Sequence, residues 1–175
     1  NQKWWFETSI AVTDVSDLNT WVGFAQTGYA DSDTLPTDGI GFSHLQDTTT
    51  IQFVSRKNGA GVSFDMLSSA GGSNFTLEDS SVPTQTATVQ AIPNNSVRLG
   101  FVYQPAGSEI GVTANQFKLY LNGNPVGVQA ATTVPDDIAL EMNIMGAHKG
   151  TNANHLVVDY FNTFQSRIAG TGVSA

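Results

Sequence analysis

Groups that transfer protons, attack carbonyls or bind metals are sparse in this sequence, and their spacing argues against an active site. Retaining glycoside hydrolysis needs two carboxyl groups facing one sugar ring about 5 Å apart. Glu78 and Asp79 form the nearest acidic cluster, but neighbours on a strand point to opposite faces. A serine nucleophile needs a base and a sharp turn to present it, and no Gly-x-Ser-x-Gly elbow occurs. His44 shares parity with Ile40 and Phe42, as expected of a hydrogen-bonded histidine at the margin of a core. His148 and His155 flank a turn rich in Gly and Asn and lack a third ligand for zinc. Oxygen ligands are better supplied. Asp31, Asp33 and Asp38 make a candidate calcium loop, although their spacing matches no EF-hand and the same residues serve as solvated turn formers. The expectation is a protein that is not an enzyme and has no cofactor beyond that candidate ion.

Binding is a better use of what the chain offers. Trp5, Trp21 and Tyr29 are the aromatic residues suited to stack on a sugar or a protein partner. In residues 4–12, Trp4, Phe6, Ile10 and Val12 share one parity, which leaves Trp5 with Glu7, Ser9 and Ala11 on the other. Trp21 likewise lies opposite the main apolar set of its strand. Such rings either stand exposed on a sheet face or are covered by loops, and cover is the default expectation.

The elements that position them are strands. Period-two runs recur at residues 4–12, 21–26, 39–45, 50–56, 61–67, 73–77, 87–92, 96–103, 116–121, 125–129, 138–144 and 155–164, punctuated by Gly, Asp, Asn, Ser or Pro. Asn122-Gly123 tolerates the positive φ angles of a two-residue hairpin, and Asn58-Gly59 is a second turn of that kind after Arg56-Lys57. A dozen or so short strands cannot remain one open sheet with a wet apolar face. They should divide into two antiparallel sheets about 10 Å apart around one core.

Composition agrees. The 175 residues are 40% hydrophobic and only 13% charged, with 17 Gly, a β-rich mixture that reads as a single domain over residues 1–175 with short polar ends. No stretch approaches the roughly 20 apolar residues of a membrane helix, and no cysteine is present for a disulfide or a thiolate metal site. Fifteen acidic residues against seven basic ones give a net charge of −8, which disfavours a nucleic-acid partner. The sequons at Asn74 and Asn94 matter only in a secretory setting.

The order of motifs carries a resemblance. Trp4-Trp5-Phe6-Glu7, Trp21-Val22-Gly23-Phe24, Asp38-Gly39-Ile40-Gly41-Phe42, Val97-Arg98-Leu99-Gly100-Phe101, Phe117 to Gly123 and Leu156 to Phe161 follow one another over nearly the whole chain. This series resembles the concanavalin A-like lectin and glucanase superfamily, which implies an all-β, two-sheet jelly-roll sandwich. The glucanase branch carries an E-x-D-x-x-E strand motif that this chain lacks. Within the superfamily, the opening Trp-Trp-Phe-Glu, Thr37-Asp38-Gly39-Ile40-Gly41-Phe42 and the closing stretch from Val158 to Arg167 resemble structural proteins of tailed bacteriophages. That resemblance implies a capsid decoration protein on the virion surface, with the major capsid protein or other virion proteins as partners and self-association as a further option. The ends Asn1, Gln2 and Lys3 and Ala169, Gly170 and Thr171 are the expected capsid arms. The alternative is an extracellular or fibre-borne carbohydrate-binding module using Trp5, Trp21 or Tyr29 on a glycan.

Overall fold

The computed structural model describes residues 3–12, 18–30, 34–45, 51–66, 96–148 and 156–165. Ten strands lie among them: β1 Trp4–Val12, β2 Leu18–Gln26, β3 Gly39–His44, β4 Ile51–Lys57, β5 Ala60–Asp65, β6 Val97–Gln104, β7 Gln116–Leu121, β8 Asn124–Ala130, β9 Leu140–His148 and β10 Leu156–Gln165. The runs expected at 73–77 and 87–92 lie outside the described residues. The rest of the strand reading agrees to within a few residues at each end.

The strands form two antiparallel five-stranded sheets. Sheet A runs β10-β1-β6-β7-β8 and sheet B runs β5-β4-β3-β2-β9. Alternation decides which side chains meet between them. From sheet A come Phe6, Ile10, Val97, Leu99, Phe101, Phe117, Leu119 and Leu121; from sheet B come Val22, Ile40, Phe42, Ile51 and Phe53, all in one buried cluster. Fully burying such a side chain stabilises the fold by roughly 1.5–3 kcal/mol before ordering entropy is charged against it. Phe101 is the hub, in ring contact with Trp4, Phe6, Phe42, Phe53 and Phe117 at centroid distances of 5.2–5.9 Å.

Two hairpins follow from their turn chemistry. Asn58-Gly59 and Asn122-Gly123 have φ of +52° and +77°, and +52° and +83°. Paired positive φ values define a type I′ turn, whose twist matches that of the strands it joins. A register shift between Ser9 and Ile10 against β10 leaves Asp159 as the extra residue of a bulge. The buried Thr8 donates its hydroxyl to the Tyr160 carbonyl beside that bulge, at 2.9 Å.

Candidate functional site

One end of sheet A gathers features expected at separate places in the sequence. Trp4 pairs with Gln165 on one side and Tyr103 on the other, so the chain enters β1 and leaves β10 at one corner. Lys3, beside that corner, is ion-paired with Glu109 of the loop after β6. The pairing holds the Glu109 carboxyl below its usual range, through the hydrogen bond first and the lysine charge second. The loop is pinned from within by Gly107 N to Val112 O at 2.8 Å and by Ala106 N to Asn115 Oδ1 at 2.9 Å. At its tip stands Ile110, whose side chain is completely exposed. Of the expected capsid arms, Lys3 is seen here; Asn1, Gln2, Ala169, Gly170 and Thr171 lie outside the described residues.

The outer face of sheet A begins at the same corner. Because cross-strand partners share a face, the register sets out three rows. The first is Phe164, Trp5, Val102, Lys118 and Val128; the second is Asn162, Glu7, Gly100, Tyr120 and Pro125; the third is Tyr160, Ser9 and Arg98. Phe164 and Val128 are more than half exposed, and Trp5 is half-buried. Lys118 Nζ stands 5.6 Å from the Tyr120 ring centre, a cation–π distance. Tyr160 donates to Glu7 Oε1 at 2.7 Å. Burial pushes the Tyr160 hydroxyl up, and the Glu7 carboxylate adds to the rise while Arg98 opposes it. Glu7 is the one carboxylate in the three rows.

Trp21 and Tyr29 were candidates for stacking on a partner, and burial corrects that for Trp21. The structure brings the two rings together on the outer side of sheet B, 6.2 Å apart and edge to face. Trp21 is 1% exposed and packs with Ala25, Val54, Tyr29, Leu35 and Met145. Its ring lies on Gly39 and Gly41, where a Cβ would come within 3.1 Å of Cζ2. Tyr29 is fixed by its own hydroxyl, donating to Thr34 O at 2.7 Å, and by its carbonyl, which accepts from Asn143 Nδ2 at 3.1 Å.

Asp38 is buried, and its Oδ1 accepts from Asn58 N at 2.8 Å. The other two members of the candidate calcium loop, Asp31 and Asp33, lie outside the described residues. Among the described residues no group of three or more His, Cys, Asp or Glu side chains is placed to share an ion. His44 is 1% exposed with Nδ1 at 2.8 Å from Leu18 O. A carbonyl only accepts, so Nδ1 carries the proton.

No family model and no curated protein sequence matches the chain. Solved structures do. A native glycosidic hydrolase superposes with a TM-score of 0.53 at 18% identity, over 91% of this chain and 63% of that one. The likeness is one of fold. The carbohydrate-binding module CBM66 from Bacillus subtilis aligns with a TM-score of 0.46 at 11% identity, over 93% of this chain and 75% of its own, too loosely to argue from. The chain therefore spans less than two thirds of the hydrolase it matches, and the two-sheet sandwich is what they share.

Sequence reasoning passed over Phe164, Tyr160, Lys118, Arg98 and Ile110. The first two are turned outward by the bulge at Asp159, which simple alternation does not register. Lys118 and Arg98 were visible as outward positions between apolar ones. For Ile110 no signal distinguished a bare loop tip from a covered one.

Proposed function

We propose that the protein is a non-enzymatic virion structural protein that decorates a bacteriophage capsid, anchored at the corner of sheet A where β1 begins and β10 ends. The observation that carries this is the pairing of Trp4 with Gln165 beside the Lys3 to Glu109 bridge and the bare Ile110 tip. The start of β1 and the end of β10 thereby lie side by side, next to an apolar tip on an internally bonded loop. An ordered loop that presents Ile110 to water gains nothing from it in the isolated domain, whereas a partner surface would bury it. The likeness of the motif series to tailed-phage structural proteins supplies the partner.

Such a protein stabilises an assembled shell by mass action, in proportion to how far its concentration exceeds the dissociation constant. The test is co-sedimentation of the purified chain with cognate capsids lacking it, with heat release of DNA as second readout. Wild type is expected to pellet with capsids and to raise their melting temperature. Ile110→Asp should weaken binding by about tenfold or more, as for a lost apolar anchor, while leaving the protein's own Tm unchanged. A chain that stays in the supernatant beside its capsid defeats the proposal, as does an Ile110→Asp variant that binds normally.

A further inference from the structure

The middle rows on the outer face of sheet A carry an excess of positive charge on an acidic molecule. The chain has a net charge of −8, yet the three rows of this face hold Lys118 and Arg98 against Glu7 alone, and Glu7 already accepts the Tyr160 hydroxyl. Around these cations stand ring and aliphatic surfaces: Trp5, Phe164 and Val128 in the first row, Tyr120 in the second. Gly100 has no side chain, and Glu7 and Tyr120 flank it, each 3.8 Å from where a Cβ would stand. We propose that this face is a binding site for an acidic polysaccharide, a chain of uronate or sulfated sugars, laid across the strands. This goes beyond capsid attachment, which uses the corner and not the middle of the sheet.

The chemistry of such a ligand matches the pattern. A sugar ring offers a C–H face to an aromatic side chain and hydroxyls at its rim to polar ones, and aromatic residues with one wet edge are suited to both. Neighbouring strands are about 4.8 Å apart, a step comparable with one sugar ring, so rows that alternate Trp5, Val102 and Lys118 meet a repeating polymer in register. The carboxylates or sulfates of the polymer meet Lys118 and Arg98. Nucleic acid is also anionic, but its affinity rests on many phosphate contacts, and two cations on a strongly acidic protein are too few. A protein partner ordinarily inserts an anchor into a pocket at the centre of the interface, whereas these rows run across all five strands of the sheet.

The full chain should be run in affinity gels cast with a polyuronate such as alginate, with a sulfated polysaccharide, with a neutral glucan, and beside succinylated albumin as an acidic protein. Retardation is expected in at least one of the two acidic polysaccharides and in neither the glucan nor the albumin. Raising salt from about 0.05 to about 0.5 M should weaken retardation about tenfold, as the screening length contracts to a few Å. Lys118→Ala, a surface change that leaves Tm intact, should weaken it about tenfold, and Trp5→Ala at least as much. Retardation by none of the polysaccharides, equal retardation by the glucan, capture of albumin as strong as that of the polysaccharides, or a Lys118→Ala variant that binds as wild type would each overturn the proposal. Lys118→Ala is expected to co-sediment with capsids normally, so failure here leaves the capsid reading standing and the reverse holds too.

Discussion

Trp5 and Trp21 illustrate how far a single residue can be read from parity. Both were legible as rings on the side of their strand away from the main apolar set, and both are on outer faces. Their exposure differs because Trp21 has Tyr29 and Leu35, from between β2 and β3, packed against it; such cover is a tertiary fact that alternation does not encode. Burying Trp21 left its Nε1 without a hydrogen-bond partner, and an unmade bond on a buried donor costs about 1–3 kcal/mol. Replacing Trp21 with Phe removes that donor while keeping a ring on Gly39 and Gly41, so relief of the orphan and loss of packing oppose each other. Trp21→Phe is expected to change stability by no more than about 1 kcal/mol, against about 3–5 kcal/mol lost in Trp21→Ala. Urea denaturation of the two variants checks this, and a Phe variant as unstable as the Ala one would show that the indole nitrogen matters for folding.

At the level of elements, the strands and both Asn-Gly hairpins were readable because period-two patterning and turn chemistry are local. The β10 bulge was not. Continuing the alternation from Leu156 and Val158 puts Tyr160 and Phe164 in the core, and the extra residue Asp159 turns both outward instead. Asp38 was legible as a carboxylate in a loop but not as a clasp, because its partner Asn58 is 20 residues away. The clasp joins two elements: Asp38 Oδ1 takes the Asn58 amide of the β4–β5 turn, Gly59 N reaches Thr37 O at 2.9 Å, and Gln26 bonds Asp38 at both backbone groups. Removing the carboxylate strands the Asn58 amide, so Asp38→Ala should cost about 1–3 kcal/mol. Asp38→Asn keeps an oxygen acceptor in place and should recover part of that loss. Thermal melts of the two variants decide it; equal stability of Asp38→Ala and wild type would mean that water serves the amide as well.

Among the described residues, the sandwich is sealed on one flank and less so on the other. Phe64 of β5 presses onto Gly127 of β8, where a Cβ would come within 2.2 Å of the ring, whereas Ile144 of β9 and Phe161 of β10, both on inward-facing positions, remain 41% and 49% exposed. Its charges act together only at the extremes of pH. Burial pushes the Tyr103 hydroxyl above its ordinary value of 10.0, since its ring lies among Trp4 and Phe117, and burial does the same for Tyr160. Lys57 is raised above 10.5 by its hydrogen bond to Asp136. In all three the folded state holds its proton more tightly than the unfolded chain, so their contribution is fully present below the ordinary values and is lost as pH rises through the raised ones. Glu109 and Asp136 are lowered by Lys3 and Lys57, so theirs is present above the ordinary carboxylate range and lost as pH falls through the lowered values. The Lys57 to Asp136 and Lys3 to Glu109 pairs lie at the surface and are screened by salt; discounting Lys57 on that ground leaves the alkaline limb dominated by the tyrosines. Melting temperature is therefore expected to fall from about pH 10 upward, with the fall insensitive to salt. Tyr103→Phe has no hydroxyl to ionise and should flatten it, so that the variant gains on wild type as pH rises from about 9 to about 11. Parallel melting curves for the two proteins across that range would mean that Tyr103 ionises as freely in the fold as in the open chain.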